Sequence, residues 1–252
     1  MRKHLIIANW KMNPSSLKEA ILLAQRIEKG IAHLRGVEAV IAPSFLHLSA
    51  VRKEIKKVYL GAQNVFWEDI GPYTGEVSWR QLKINRVKFV IVGHSERKLY
   101  LCETDEMINK KIITVLQNGF KAVLCVGERE RADNEIPPVV GDQLKNALKG
   151  VEKKFIKNLI IAYEPIWAIS TQLNSRPDTP DNAFRSLLYI RKIIAGLYDR
   201  NTADAVKVIY GGSVTSGNIK SFIKEGKMEG ALVGGASLDA AEFLKILKES
   251  VR

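Results

Sequence analysis

The chain is poor in the residues that build covalent or metal staples. Among its 252 residues only Cys102 and Cys125 are cysteines, and they form no CxxC or Cys/His pattern. A disulfide framework or a structural zinc site is therefore disfavoured, and a reducing compartment is expected. Long apolar runs are scarce too. Nothing approaches the roughly eighteen consecutive apolar residues that suggest a membrane helix. The N-terminus starts like a secretory leader, with Arg2-Lys3 before Leu5-Ile-Ile-Ala8, but Asn9 ends the run too early. A soluble, cytoplasmic protein is expected, with no membrane partner. Neither G-x-G-x-x-G nor a P-loop is present, so no dinucleotide or Walker-type phosphate motif competes for a role.

What is present is an ordinary globular composition with an unusual charge. Hydrophobic residues make up 46% and charged residues 26%, with 18 Gly and 8 Pro, which excludes disordered, collagen-like and low-complexity classes. Lys and Arg number 39 against 27 Asp and Glu, a formal net charge of +12. Such a balance suggests nucleic acid, a membrane surface or a small anionic substrate. No nucleic-acid reader motif is found. The basic residues are scattered over helical segments, as at Lys56-Lys57, Lys110-Lys111 and Lys153-Lys154, without interleaved aromatics. A solvated surface that favours arrival of an anionic substrate is the better reading, and no nucleic-acid partner is expected.

Short apolar runs recur along the chain: Leu5–Ala8, Val37–Ala42, Val58–Ala62, Phe89–Val92, Ala122–Val126, Leu159–Ala162, Val206–Tyr210 and Gly230–Val233. Most are continuous rather than alternating, as parallel strands read when both faces are covered. Amphipathic segments separate most of them. Ser16 to Leu34 is predicted helical, with Leu17, Ala20, Ile21, Ala24, Ile27 and Ile31 on one face and a Ser16/Glu19 capping box. Thr179-Pro180 predicts a helix start, with Phe184, Leu187, Leu188 and Ile194 as its stripe. Ser237 is the expected cap of the last helix. Eight strand candidates alternating with helices, with no linker-like break, predict a single α/β domain over residues 1–252. A (β/α)8 barrel needs roughly 250 residues, but periodicity alone does not separate it from an open doubly wound sheet.

The strand ends carry polar material: Asn9-Trp-Lys11, Gln63-Asn64, Gly93-His-Ser-Glu-Arg97, Glu164-Pro165, Gly211-Gly-Ser213 and Gly234-Gly235. Ligands of parallel α/β folds collect at the carboxyl ends of strands. Glycine turns there let backbone N–H groups approach an anion, so the last two turns suggest a phosphate pocket. Glu164 leaves an apolar strand and is held extended by Pro165, which suits a partly desolvated general base. Alone, His94 reads as a turn histidine and Lys11 as a surface lysine. Together at one end of a barrel with Glu164, they point to catalysis.

The chain resembles the triosephosphate isomerase family from end to end. The resemblance is carried by Asn9-Trp-Lys-Met-Asn13, Gly61-Ala-Gln-Asn64, Tyr73-Thr-Gly-Glu-Val-Ser78, Gly93-His-Ser-Glu-Arg97 and Cys125-Val-Gly-Glu128. It continues through Ala162-Tyr-Glu-Pro-Ile-Trp-Ala-Ile169, Tyr210-Gly-Gly-Ser-Val214 and Leu232-Val-Gly-Gly-Ala-Ser-Leu238. It implies a closed (β/α)8 TIM barrel and an aldose–ketose isomerase of glycolysis and gluconeogenesis. Such an enzyme interconverts dihydroxyacetone phosphate and D-glyceraldehyde 3-phosphate through an enediol(ate), without cofactor or metal.

Carried over residue by residue, the resemblance makes Glu164 the proton-transferring base and His94 the neutral electrophile. It sets Lys11 against enediolate charge, Glu96 beside Lys11, and Asn9 on a substrate oxygen. Ser170, Ser213, Gly234 and Gly235 would hold the phosphate, and Pro165, Ile166 and Trp167 would form a lid hinge. Cys125 reads better as a packed strand residue than as a functional thiol. The Tyr73–Glu76 loop, with Thr74 at its tip, implies a homodimer. The segment Ser170–Asp178 departs from the family: it lacks the Gly-Thr-Gly-Lys tip and is about three residues longer, a length that loops tolerate. A phosphate-binding barrel isomerase of another pathway would share the glycine turns, but gives no reason for Lys11, His94 and Glu164 in these contexts.

Overall fold

A computed structural model of the chain describes residues 3–131, 135–169 and 175–251. Eight parallel strands close on themselves in sequence order: β1 (His4–Asn9), β2 (Val37–Ala42), β3 (Tyr59–Ala62), β4 (Phe89–Val92), β5 (Lys121–Val126), β6 (Leu159–Tyr163), β7 (Lys207–Tyr210) and β8 (Gly230–Val233). The arrangement is a closed (β/α)8 barrel, as expected, and not the open sheet. Each expected run coincides with a strand to within one residue at either end.

The continuous apolar runs have a direct structural cause. Leu5 and Ile7 of β1 point into the barrel with Val40, Phe89, Ile91, Val123, Ile160, Ile209 and Leu232, forming one buried cluster. Their neighbours Ile6 and Ala8 face the helices in a second, larger cluster. Both faces of the strands are thus largely removed from water, with Tyr59 at the start of β3 the exposed exception, and alternation disappears from the sequence. Closure occurs where β1 meets β8, with Leu5 opposite Gly230 and Ala8 opposite Val233. At Gly230 φ is +153°, and an added Cβ would run into the carbonyl of Leu5. The tight seam therefore requires glycine.

The surrounding helices are α1 (Leu17–Gly30), α2 (Leu48–Glu54), α3 (Trp79–Ile84), α4 (Ser95–Tyr100), α5 (Asp105–Gln117), α6 (Pro138–Ala147), α7 (Pro180–Leu197), α8 (Arg200–Ala205), α9 (Ile219–Lys224) and α10 (Ala240–Glu249). Ser16 caps α1, accepting the N–H of Glu19 at 3.2 Å. The buried stripe of α1 is Ala20, Leu23, Ala24 and Ile27; Leu17, in the first turn, is exposed. The helix stops at Gly30 and a 3-10 turn completes the segment to His33. Thr179 caps α7 with Pro180 at its first position. Ala183, Leu187, Ile190 and Ile194 are its inner face, and Leu188, one residue off that spacing, is exposed.

One cap differs from expectation. Ser237 lies inside a 3-10 turn (Gly235–Leu238), where its hydroxyl donates to the carbonyl of Gly234 at 2.6 Å. Asp239 caps α10 instead, accepting the N–H groups of Ala241 and Glu242. The 3-10 turn uses up the residues that the apolar spacing had assigned to the helix start. No described helix is long and apolar enough to cross a membrane.

Candidate active site

The carboxyl ends of β1, β4, β6, β7 and β8 surround a cavity of about 240 Å³. Asn9, Lys11, His94, Glu164, Ser213, Gly234 and Gly235 all line it, together with Gly211, Gly212 and Ile169. The residues singled out in separate parts of the sequence thus converge on one hollow. Ser170 and the segment through Asn174 lie outside the described residues.

Lys11 follows β1 in the left-handed region, with φ at +52°, a conformation that costs a residue with a side chain some strain. Neighbours hold it there. Its N–H donates to Asn9 Oδ1 at 3.1 Å, and its carbonyl accepts Gln63 Nε2 at 2.8 Å. The same Gln63 nitrogen donates to the carbonyl of Ala42 at 2.8 Å, so the end of β3 ties Lys11 to the end of β2. The ammonium then reaches Glu96 Oε1 at 2.5 Å, and an added Cβ on Gly234 would crowd the lysine stem. Gln63 had been noted only as strand-end polarity; its role needed the barrel geometry.

His94 follows β4 and caps α4. Its Nδ1 accepts the N–H of Glu96 at 3.2 Å. Accepting there requires a lone pair on Nδ1, which places the ring proton on Nε2 in a neutral imidazole. Nε2 faces Glu164 Oε1 at 3.3 Å. Glu164 is buried, and its other oxygen, Oε2, accepts the N–H of Ser95 at 3.0 Å. Gly127 and Gly211 make the room: a Cβ on Gly127 would strike the Glu164 carbonyl, and one on Gly211 would press on Glu164 Cγ at 2.8 Å. Cys125 lies inside the barrel, and burial together with the neighbouring Glu164 carboxylate pushes its thiol well above the usual range. That environment fits a packing residue rather than a nucleophile.

Behind Glu164 lies a polar cluster that the sequence reading did not anticipate. Glu128 Oε1 accepts the hydroxyl of Tyr163 at 2.7 Å and the indole N–H of Trp167 at 3.0 Å. Burial raises the Glu128 carboxyl above its ordinary range despite these donors. Arg131 is buried beside it, within 3.5 Å of the Tyr163 hydroxyl and 3.4 Å of Ser186 Oγ. Tyr210 donates to Asp178 Oδ2 at 3.1 Å, and burial pushes that carboxyl up as well. Tyr163 and Tyr210, ending apolar strands, were the available signal. On the phosphate side, Ser213 donates its hydroxyl to the carbonyl of Ala168 at 2.8 Å, joining the β7 and β6 loops.

A carboxylate, a neutral imidazole N–H and an ammonium around one cavity can abstract, donate and stabilise charge in turn. Comparison with known proteins gives the family. The family model for triosephosphate isomerase matches residues 4–250. The chain belongs to the triosephosphate isomerase family. A triosephosphate isomerase of Caldanaerobacter subterraneus subsp. tengcongensis is 43% identical over 251 residues, covering 98% of this chain and 99% of the relative. One of Thermoanaerobacter sp. is 44% identical with the same coverage. That of Clostridium botulinum is 39% identical, again over 98% of this chain and 99% of the relative. Ile169 lines the cavity, and Asp178, just before the α7 cap, accepts the hydroxyl of Tyr210 at the end of β7.

Proposed function

We propose that this chain, as a cytoplasmic unit spanning residues 1–252, interconverts dihydroxyacetone phosphate and D-glyceraldehyde 3-phosphate in glycolysis and gluconeogenesis. Glu164 removes a proton from C1 of the ketose, and His94 Nε2–H donates to the C2 oxygen. The resulting enediol(ate) is reprotonated at C2 by Glu164, while the C1 hydroxyl proton returns through His94. Lys11, poised by Glu96 and Gln63, stabilises oxygen charge as it develops, and Asn9 holds a substrate oxygen. The substrate phosphate sits against Ser213 and the N–H groups of Gly234 and Gly235, with Ser170 as a further donor. Pro165, Ile166 and Trp167 form the hinge of the loop above it.

The observation that carries this reading is the pairing of Glu164 and His94 at 3.3 Å in the same cavity as Lys11 and the two glycine turns. A coupled assay started from glyceraldehyde 3-phosphate tests the reaction. Incorporation of solvent deuterium at substrate carbon tests the proton-transfer route. Parental turnover by Glu164→Gln would remove Glu164 from its role as base.

A homodimer belongs to the same proposal. Ile70, Tyr73 and Ile84 are 80%, 41% and 81% exposed around one surface hollow beside Thr74 and Gly75. Apolar exposure at that density fits a covered face. Light scattering gives the mass, and Thr74→Arg is expected to shift it from dimer towards monomer.

A further inference from the structure

Arg176 sits where the β6 loop returns towards α7, and it is bound to three things at once. Its backbone N–H donates to the carbonyl of Trp167 at 3.1 Å, closing the base of the loop between these two residues. Its guanidinium carbon lies 4.8 Å from the centroid of the Trp167 ring. Its Nη2 donates to the carbonyl of Arg131 at 2.8 Å, in the loop that follows β5. Trp167 is thereby held at two points, by the Arg176 guanidinium over its ring and by Glu128 on its indole N–H. Between Glu164 and Trp167 only Pro165 and Ile166 intervene, and Ile166 N–H is itself fixed to the carbonyl of Glu128 at 3.0 Å.

We infer that Arg176 is a positioning residue for the isomerase: it clips the outgoing and returning arms of the β6 loop together and fixes Trp167 on Glu128, so that substrate meets a loop base already ordered. A planar guanidinium suits this position because it can stack on an indole and donate to a carbonyl in its own plane, which an ammonium cannot do equally well. A substrate that has to order these arms itself binds more weakly, because part of its interaction is consumed in fixing them. Neither contact reaches the cavity floor, so the chemical groups keep their places when the clip is removed. The predicted signature is therefore a change in KM rather than in kcat.

This inference rests on the isomerase reading, so the test carries a readout that does not need turnover. Arg176→Ala and Arg176→Lys are compared with the parent after labelling with 5-fluorotryptophan, the Trp167 fluorine resonance being assigned by Trp167→Phe. In Arg176→Ala the Trp167 resonance should move while those of Trp10, Trp67 and Trp79 stay in place. KM for the triose phosphate should rise about ten-fold, close to 1.4 kcal/mol, with kcat within about three-fold of the parent. Inhibition by inorganic phosphate, which does not span the site to the loop base, should change less than two-fold, roughly within the noise of such constants. Arg176→Lys should recover part of the KM loss, since it keeps the cation and a donor. An unmoved Trp167 resonance overturns the clip whatever the kinetics. A moved resonance with unchanged KM overturns its link to substrate binding, as does an equal loss in KM, kcat and thermal stability. If the parent itself lacks isomerase activity, the proposed function fails while the fluorine result still decides the clip.

Discussion

The N–H of Ser95 holds Glu164 Oε2 at 3.0 Å, and so keeps the carboxylate on the α4 side of the cavity. Ser95 is the first residue of α4, whose partial positive end adds to the attraction for the anion. In the proposed reaction the carboxylate turns from this donor towards substrate carbon. The barrel supplies the space: Gly211 lies against Glu164 Cγ, and no side chain there obstructs the swing.

Shortening the carboxylate arm tests whether this placement matters for proton transfer. Glu164→Asp keeps the charge but retracts the oxygens by about one bond length, a scale at which misplacement costs roughly a hundred-fold in rate. We expect kcat to fall by at least that factor while KM changes far less. Steady-state kinetics in both directions check it, and a near-parental kcat would eliminate Glu164 as the base.

Lys11→Met removes the ammonium and roughly preserves the stem that runs past Gly234. The lost interaction grows as enediolate charge develops, so the loss should appear in kcat. Removal of a single preorganised donor costs about a hundred- to a thousand-fold, and a full cation should cost at least that. Circular dichroism on the same preparation should be unchanged, because Gln63 and Asn9 hold the backbone rather than the ammonium. An active variant would contradict the assignment.

Much of this was legible in the sequence, and the part that was not has a physical reason. The eight strands could be read because burial on both faces erases alternation, as in Phe89–Val92, where every residue is buried. The helix caps were read well where side chain and apolar stripe agreed, at Ser16 and Thr179. They failed at Ser237, because nothing in an apolar spacing reveals a 3-10 turn taking its place. The strand-end residues Asn9, Lys11, His94 and Glu164 announced themselves as polar breaks in apolar runs. Gln63 stood out only as strand-end polarity, and Arg131 and Arg176 not at all, since each acts on groups that other loops and elements supply, the carbonyls of Lys11 and Ala42, the hydroxyls of Tyr163 and Ser186, and the carbonyl of Arg131. Long-range partners of that sort become visible only once the barrel is closed.

Gly211 offers a test of the space around the base. In Gly211→Ala the new Cβ would approach Glu164 Cγ at 2.8 Å and the Tyr163 carbonyl at 3.1 Å. Overpacking of this kind costs about 1–3 kcal/mol of stability. The more telling effect should be on kcat, lowered because the carboxylate is pushed from its path. Thermal unfolding and kinetics together check it. A variant that is destabilised but turns over at the parental rate would show that Glu164 does not pass Gly211.

The half-buried Asp178 makes stability depend on pH in a definite direction. Burial is the largest influence on its carboxyl and raises it, outweighing the N–H of Thr179 and the hydroxyl of Tyr210. An acid whose folded value lies above its unfolded one binds its proton more tightly when folded. Its charged form therefore burdens the folded state fully above the raised value, and the burden fades as pH falls towards the ordinary carboxylate range near about 3.9. Asp178→Asn removes the ionisable group and leaves an oxygen to accept from Thr179. The variant's melting temperature, relative to the parent, should therefore be most favourable at pH 7 and should lose that advantage as pH is lowered towards 4. For a chain of this size each kcal/mol corresponds to about 2–4 °C. Melting curves of both proteins across that interval decide the matter: a difference that stays constant, or one that grows in acid, would show that Asp178 is not held against its charge.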